Sequence, residues 1–273
     1  GIVIGRTPQF AWSVTSGADD QVDTVALRLD PADAHRYEWD GTMRAMACEQ
    51  VVHRSLPTAA APEDAPEIIV QDVCRAEGMP VVAWNPEAGV AWAQRSTTRG
   101  EELDGAFMWL SLARCSDLAC FQGQLADFPF TFNYHYAGPE GIAYFHTGDV
   151  PLRPTQLDPR LPALPGTPYA WRGESVGLAL NTWIVNPSTG YVANWNNAPA
   201  RGWRTGDTLE MWGSVHRVQL LDHFVQQRLA QGTPLAWQDV ADILENAATH
   251  DPFARHVVPH IITVATSDPA HAP

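Results

Sequence analysis

The sequence has 273 residues, 45% of them apolar, enough to bury a substantial core in one large domain or two small ones, so a disordered chain is excluded. Seventeen basic residues against 31 acidic ones leave a formal charge of -14, which repels phosphate backbones and anionic headgroups and sets nucleic acid and membrane surfaces aside as partners. Every one of those basic residues is arginine, and without lysine neither Schiff-base nor P-loop chemistry is open to the chain.

Eleven Trp with 22 Pro and 20 Gly describe a rigid, loop-rich body whose aromatic residues can line a pocket as well as fill a core. No apolar run reaches the roughly 18 residues of a membrane-spanning helix. The opening run Gly1-Ile2-Val3-Ile4-Gly5 reads like the interior of a strand, which predicts further sequence upstream. Short strands follow at 10–15, 25–29, 49–53, 68–73 and 81–84, with Asp40-Gly41 as a hairpin turn.

Cys48, Cys74, Cys115 and Cys120 form no CxxC pair and have no His at zinc-finger spacing. Cys48 and Cys74 lie on opposite arms of a predicted hairpin turning through residues 55–66, and Cys115 and Cys120 can close a small loop. Disulfides are the expectation, with free buried thiols as the alternative.

Residues 101–122 read as one helix, with Leu103, Phe107 and Leu110 on the face expected to pack on a sheet. A hairpin is predicted from Phe130–Tyr136 and Ile142–His146, then a long proline-rich loop at 151–168 and a strand near 191–194. From Ser214 the pattern turns helical: Val218, Leu221, Val225 and Leu229 make one stripe, Thr233-Pro234 is expected to start a second helix and Asp251-Pro252 a third. Sheets first and helices later give an α+β class. Residues 30–90 read as a β-rich excursion, 91–213 as core strands and a helix, and 214–273 as a helical segment.

Several motifs admit a functional and a bland reading. Gly173-Glu174-Ser175-Val176-Gly177 matches a nucleophile elbow, with Asp207 and His250 following in α/β-hydrolase order, but strand-helix alternation is missing around it. Asp19-Asp20-Gln21-Val22-Asp23 groups carboxylates as a hard cation prefers, or is a solvated acidic turn. Asn194, Asn196 and Asn197 surround Trp195 and can donate to a ligand oxygen, or end a strand. His146 and His216 are single imidazoles without a partner at catalytic spacing and read as structural. Trp109 and Phe132 fit a pocket or a core equally.

Taken in order, Thr15-Ser16-Gly17, Asp20-Gln21-Val22-Asp23, Asn133-Tyr134-His135-Tyr136-Ala137, Ile142-Ala143-Tyr144-Phe145-His146-Thr147-Gly148, Asp158-Pro159-Arg160-Leu161-Pro162, Asn186-Pro187, Gly190-Tyr191-Val192-Ala193-Asn194-Trp195-Asn196-Asn197 and His216-Arg217-Val218 resemble the β chain of the penicillin acylase family. The resemblance runs from about residue 5 to about residue 262. It implies part of an N-terminal-nucleophile hydrolase with a layered αββα sandwich, in which a released N-terminal residue attacks an amide carbonyl and its own α-amino group is the base. It further implies an oxyanion hole from the Asn196 amide and the Ser16 backbone N–H, with Arg217 ordering the site. Val14, Trp109 and Phe132 then match acyl-pocket positions. Calcium is expected on Asp20, the Val22 carbonyl, Asp23, the Pro159 carbonyl and Asp207, with a further carboxylate from a separate α chain.

Three departures accompany the resemblance. Gly1 has no side-chain nucleophile, so the nucleophile is expected outside the chain. Ser16 stands where Ala is common, and Val14 where a small polar residue can occur. The implied parent is an extracytoplasmic amidohydrolase assembled from the α chain and the remainder of the β chain, acting on a small acyl amide. A catalytically silent, acylase-like binding module is the alternative.

Overall fold

The computed structural model describes residues 3–63, 65–172, 181–203 and 215–267. The Gly173–Gly177 elbow motif and Asp207 fall outside them. In chain order, β1 (Gly5–Arg6) and β2 (Ala11–Ser16) lead into β3 (Val22–Asp30), β4 (Asp33–Trp39), β5 (Thr42–Ala45), β6 (Ala47–Arg54), β7 (Ile68–Ala76), β8 (Met79–Asn85) and β9 (Val90–Ser96). Helices α1 (Glu102–Leu112) and α2 (Leu118–Leu125) precede β10 (Phe132–Gly138), β11 (Gly141–Thr147) and β12 (Trp183–Val185). Helices α3 (Val215–Leu229), α4 (Trp237–Thr249) and α5 (Pro252–Ser267) follow, so the α+β reading holds.

Two antiparallel sheets organise the described residues: a five-stranded one ordered β1-β2-β10-β11-β12 and a seven-stranded one ordered β5-β4-β3-β9-β8-β7-β6. The larger sheet runs from Val22 to Ser96, wider than the excursion predicted at 30–90. Its core of Val25, Leu27, Leu29, Tyr37, Ala91 and Ala93 is covered by Leu157 and Ala163 of the proline-rich loop. That loop is tied to the β4–β5 turn, where Asp40 accepts from the Thr167 N–H (2.8 Å) and hydroxyl (2.7 Å). Asp40 and Gly41 both have positive φ, 49° and 73°, as a tight hairpin turn demands. Cys48 and Cys74 face each other in the β6–β7 register and are bridged, and Cys115 is bridged to Cys120.

The smaller sheet carries the site, and strict alternation gives it two unlike faces. Phe132, Tyr134 and Tyr136 of β10 share a face with Trp12 and Val14 of β2 and Phe145 of β11, packed against α1 and α2. Asn133 and His135 point to the other face with Thr15, Tyr144 and His146.

The predicted helix at 101–122 is two helices, because the chain leaves α1 after Leu112 and re-enters at Asp117, whose carboxylate accepts from the Cys120 N–H (2.8 Å). The face of α1 turned inward also differs from expectation. Leu103, Phe107 and Leu110 are exposed (73%, 63% and 44%). The buried stripe is instead Gly105, Met108, Trp109 and Leu112, at helical spacing. Gly105 decides this: a Cβ there would lie 2.2 Å from the Phe130 ring, so only the bare backbone lets the helix approach.

Two further boundaries move. Residues 191–194 form a loop rather than a strand. The second C-terminal helix starts at Trp237 rather than at Thr233-Pro234, because Asp239 reaches back to the Ala236 N–H (2.6 Å) while also pairing with Arg228. Pro252 does open the last helix, as predicted.

Phe121 of α2 is fully buried and meets the rings of Phe10, Trp12, Tyr134, Tyr136 and Phe145 at centroid distances of 5.3 to 6.4 Å. Phe121→Ala is expected to cost about 3–5 kcal/mol of stability by opening a cavity. Phe107→Ala should stay within about 0.5 kcal/mol. Urea denaturation of the two variants measures both, and equal losses would contradict the helix register.

Candidate active site

The site forms where β2 ends. The Gly17 N–H donates to the Thr131 carbonyl (3.1 Å), and Ser16 sits opposite Phe132 in the register. Hydrogen-bonded and non-hydrogen-bonded pairs alternate along an antiparallel ladder, so the Ser16 N–H points away from the β10 backbone, to the outer edge of β2. Strand β1 covers that edge only at Ala11 and Trp12. Ser16 is exposed, and its edge is open among the described residues.

Onto this edge comes Asn196 from the 186–203 loop. Its Nδ2 donates to the Ser16 carbonyl at 3.2 Å. An amide nitrogen carries two hydrogens, so one bond to Ser16 leaves the other free for a ligand oxygen beside the Ser16 N–H. Asn196 has φ of 57°, a left-handed conformation that Asn tolerates better than most residues. Asn194 holds it there: its Oδ1 accepts from the Asn196 backbone N–H (2.8 Å) and from the Thr15 hydroxyl (3.0 Å). Arg217, in the first turn of α3, donates to the Trp195 carbonyl (3.1 Å) with its guanidinium over the Trp195 ring (5.4 Å). The sequence-predicted Ser16, Asn196 and Arg217 are therefore one contiguous group.

The apolar face beside that edge brings Val14, Trp109 and Phe132 together. Val14 and Phe132 occupy neighbouring strands, Trp109 and Phe132 have centroids 5.7 Å apart, and all three pack against the same core. The Trp109 Nε1 donates to the Tyr134 hydroxyl (2.6 Å), whose ionisation burial suppresses by raising its pKa. The result is an aromatic wall with its polar atoms satisfied. On the opposite face an apolar groove of about 570 Å³ lies among Tyr191, Leu221, Val225, Ile243 and His135, whose burial pushes its pKa down to about 4. It is a separate space from the Trp109 wall.

The polar face beneath Ser16 carries residues that sequence reasoning missed. Asn133 is fully buried, and its Nδ2 donates to the Ser16 carbonyl (2.9 Å). Its Oδ1 accepts from the Tyr144 hydroxyl (2.6 Å) and faces His146 Nδ1 (2.8 Å). His146, read from the sequence as structural and partnerless, is fully buried with Nε2 at 2.8 Å from both carboxylate oxygens of Asp19. The Trp203 Nε1 donates to the same carboxylate (2.6 Å). Only the polar position between Phe132 and Tyr134 hinted at this in the sequence; the Asp19 partner is 127 residues from His146. The side chain of His216 is outside the described atoms.

Of the expected cation ligands, Asp20 and Asp23 are buried (2% and 3%) and converge on Arg153. Arg153 donates to Asp23 Oδ1 (2.9 Å) and to the Asp20 carbonyl (3.0 Å), and the Trp171 indole donates to Asp23. Arg95, lying over the Trp171 ring, adds a second positive charge that Asp23 feels. Val22 opens β3, and Pro159 sits in the proline-rich loop. Two buried carboxylates are a donor set suited to a hard cation. With Arg153 already between them and Arg95 adding charge near Asp23, a bound ion would need further carboxylates. Among the described residues the one close His/Cys/Asp/Glu triple is His35 with Cys48 and Cys74, whose sulfurs the disulfide occupies.

A family model described as penicillin amidase matches residues 1–272. Penicillin G acylase from Escherichia coli is 28% identical over 270 residues, covering 98% of this chain and 30% of the relative. A solved thermostable penicillin G acylase from Alcaligenes faecalis superimposes with a TM-score of 0.82 at 25% identity, covering 98% of this chain and 46% of that one. The chain thus spans less than half the length of either relative.

Gly17 leaves no room for a side chain: a Cβ there would meet Thr131 Oγ1 at 2.4 Å, His146 Cε1 at 2.8 Å and the Phe132 backbone nitrogen at 2.9 Å. Gly17→Ala is expected to cost about 1–3 kcal/mol, since the backbone contact cannot yield. Thermal unfolding tests it, and an unchanged melting temperature would contradict this packing.

Proposed function

The chain belongs to the penicillin amidase family, and on that premise we propose that the intact protein is an amide hydrolase of the penicillin acylase type, whose N-terminal nucleophile lies outside these residues. The observation that carries the proposal is the Asn196 amide seated 3.2 Å from the Ser16 carbonyl on an open strand edge, next to an aromatic wall. An apolar acyl group would lie against Val14, Trp109 and Phe132. Its carbonyl would face the free Asn196 N–H and the Ser16 N–H, two fixed donors for the negative charge that develops on oxygen. The nucleophile's own α-amino group serves as base. The burial of His146, locked between Asp19 and Asn133, fits a reaction in which no imidazole meets substrate. The smaller sheet would contribute to an αββα sandwich, with the larger sheet as a β-rich excursion from it, completed by the remainder of the β chain and an α chain. The two disulfides suit an oxidising, extracytoplasmic location. No described helix is long and apolar enough to cross a membrane.

In the complete enzyme, Asn196→Ala is expected to lower kcat by about 100-fold or more on acyl 4-nitroanilides with apolar acyl groups, while the fold is retained. Steady-state kinetics with circular dichroism measures this, and unchanged turnover would remove Asn196 from the reaction.

Calcium is a second part of the proposal. Asp20, Asp23, the carbonyls of Val22 and Pro159, and Asp207 would hold it, and it would supply fixed positive charge that pins the 17–23 loop to the proline-rich loop. An ion at about 100 times its Kd would add about 2.7 kcal/mol to stability. Chelation with EGTA should therefore lower the melting temperature of the complete protein, with recovery on adding calcium. A melting temperature indifferent to both treatments counts against the ion.

A further inference from the structure

The donors proposed to meet substrate cannot hold themselves in place. Ser16 is the last residue of β2 and is exposed, and Asn196 is a half-buried loop residue with a left-handed backbone. What fixes them is the Asn133 side chain. Its Nδ2 is within 2.9 Å of the Ser16 carbonyl, 3.2 Å of the Thr15 hydroxyl and 3.3 Å of Asn194 Oδ1. Asn194 Oδ1 in turn accepts the Asn196 backbone N–H. One buried amide therefore touches both arms of the site, the strand end and the loop.

The amide's orientation is determined by its partners. Ser16 O and Asn194 Oδ1 can only accept, so the NH2 group must face them. The Oδ1 must then take donors from the other side, which the Tyr144 hydroxyl supplies, with His146 Nδ1 supplying a second when it carries its proton. His146 is itself oriented by the Asp19 carboxylate and by Trp203, whose ring meets it edge-on at 5.4 Å. A flip of Asn133 would oppose oxygen to oxygen at both Ser16 and Asn194.

We propose that Asn133 is a positioning residue for amide hydrolysis, setting the Ser16 and Asn196 donors through a buried relay of Tyr144, His146 and Asp19. The proposal rests on the acylase reading above. It adds that the geometry of the donor pair is set from the polar face of the sheet, opposite the acyl wall.

The test uses the complete two-chain enzyme and acyl 4-nitroanilides. Asn133→Asp replaces the donating NH2 with an acceptor of nearly the same shape, and a displacement of the donors on the order of 1 Å corresponds to about a 100-fold fall in kcat. KM should stay within about twofold, because the acyl wall lies on the other face. Tyr144→Phe removes only one anchor of Oδ1 and should lower kcat by a smaller factor of about 3 to 10, again at constant KM. Should Asn133→Asp fail to fold, Tyr144→Phe decides the matter. A rise in KM with kcat unchanged, or wild-type kcat in Tyr144→Phe, overturns the proposal. If the wild-type enzyme hydrolyses no anilide, the acylase reading fails instead, and a crystal structure of Tyr144→Phe settles the relay. An Asn133 amide and Asn196 side chain left in place overturn it, whereas a rotated Asn133 with Asn196 withdrawn from Ser16 supports it.

Discussion

A buried primary amide held on one side by a carbonyl and an amide oxygen has one orientation available, its NH2 toward them, and Asn133 is such a group. Burial removes the water that would otherwise satisfy a misplaced N–H or C=O, so each wrong orientation leaves polar atoms unpaired in a low-dielectric interior. Most of what surrounds the strand end follows from that constraint. The Ser16 carbonyl is held, Asn194 is held, and through Asn194 the left-handed turn at Asn196 is tolerated. Strain of this kind persists only where neighbours over-determine it.

The two-residue period of a strand lets one hairpin serve two purposes. Even positions of β10 send Phe132, Tyr134 and Tyr136 to one face and odd positions send Asn133 and His135 to the other, and β11 repeats the division with Phe145 against Tyr144 and His146. The apolar face can then vary in shape to suit an acyl group without disturbing the hydrogen bonds beneath. The strand edge between the two faces is where backbone N–H groups are unclaimed among the described residues, and it is the place where proposed chemistry and proposed recognition meet.

Much of this was legible in the sequence, for identifiable reasons. Hairpins with Gly-containing turns, the helical tail and the cysteine pairs are local signals, and they appear as expected. The resemblance brought Ser16, Asn196, Arg217, Val14, Trp109 and Phe132 into view, and the structure gathers them at one strand end. The inward face of α1 was hidden because apolar periodicity favours Leu103, Phe107 and Leu110, whereas packing is decided by the missing side chain of Gly105 against Phe130. The Asp19–His146 pair was hidden because partners so far apart in sequence meet only once the sheet has formed. Arg153 was passed over because nothing in Leu152-Arg153-Pro154 announces that a guanidinium will sit between Asp20 and Asp23.

The segment from Gly17 to Asp23 shows how the second sheet is coupled to the site. Asp19 turns back to the smaller sheet and anchors His146, while Asp20 and Asp23 turn to Arg153 of the proline-rich loop, and Gln21 between them donates to the carbonyls of Pro129 (2.7 Å) and Asp149 (3.0 Å). Successive residues thus bind different parts of the molecule, and none can move without dragging the next. A cation on Asp20 and Asp23 would act on the Asn133 relay through one residue, Asp19, rather than by touching substrate. Its effect on turnover would then arise from the placement of the donors, and its removal would be felt in kcat by the same route as a change at Tyr144.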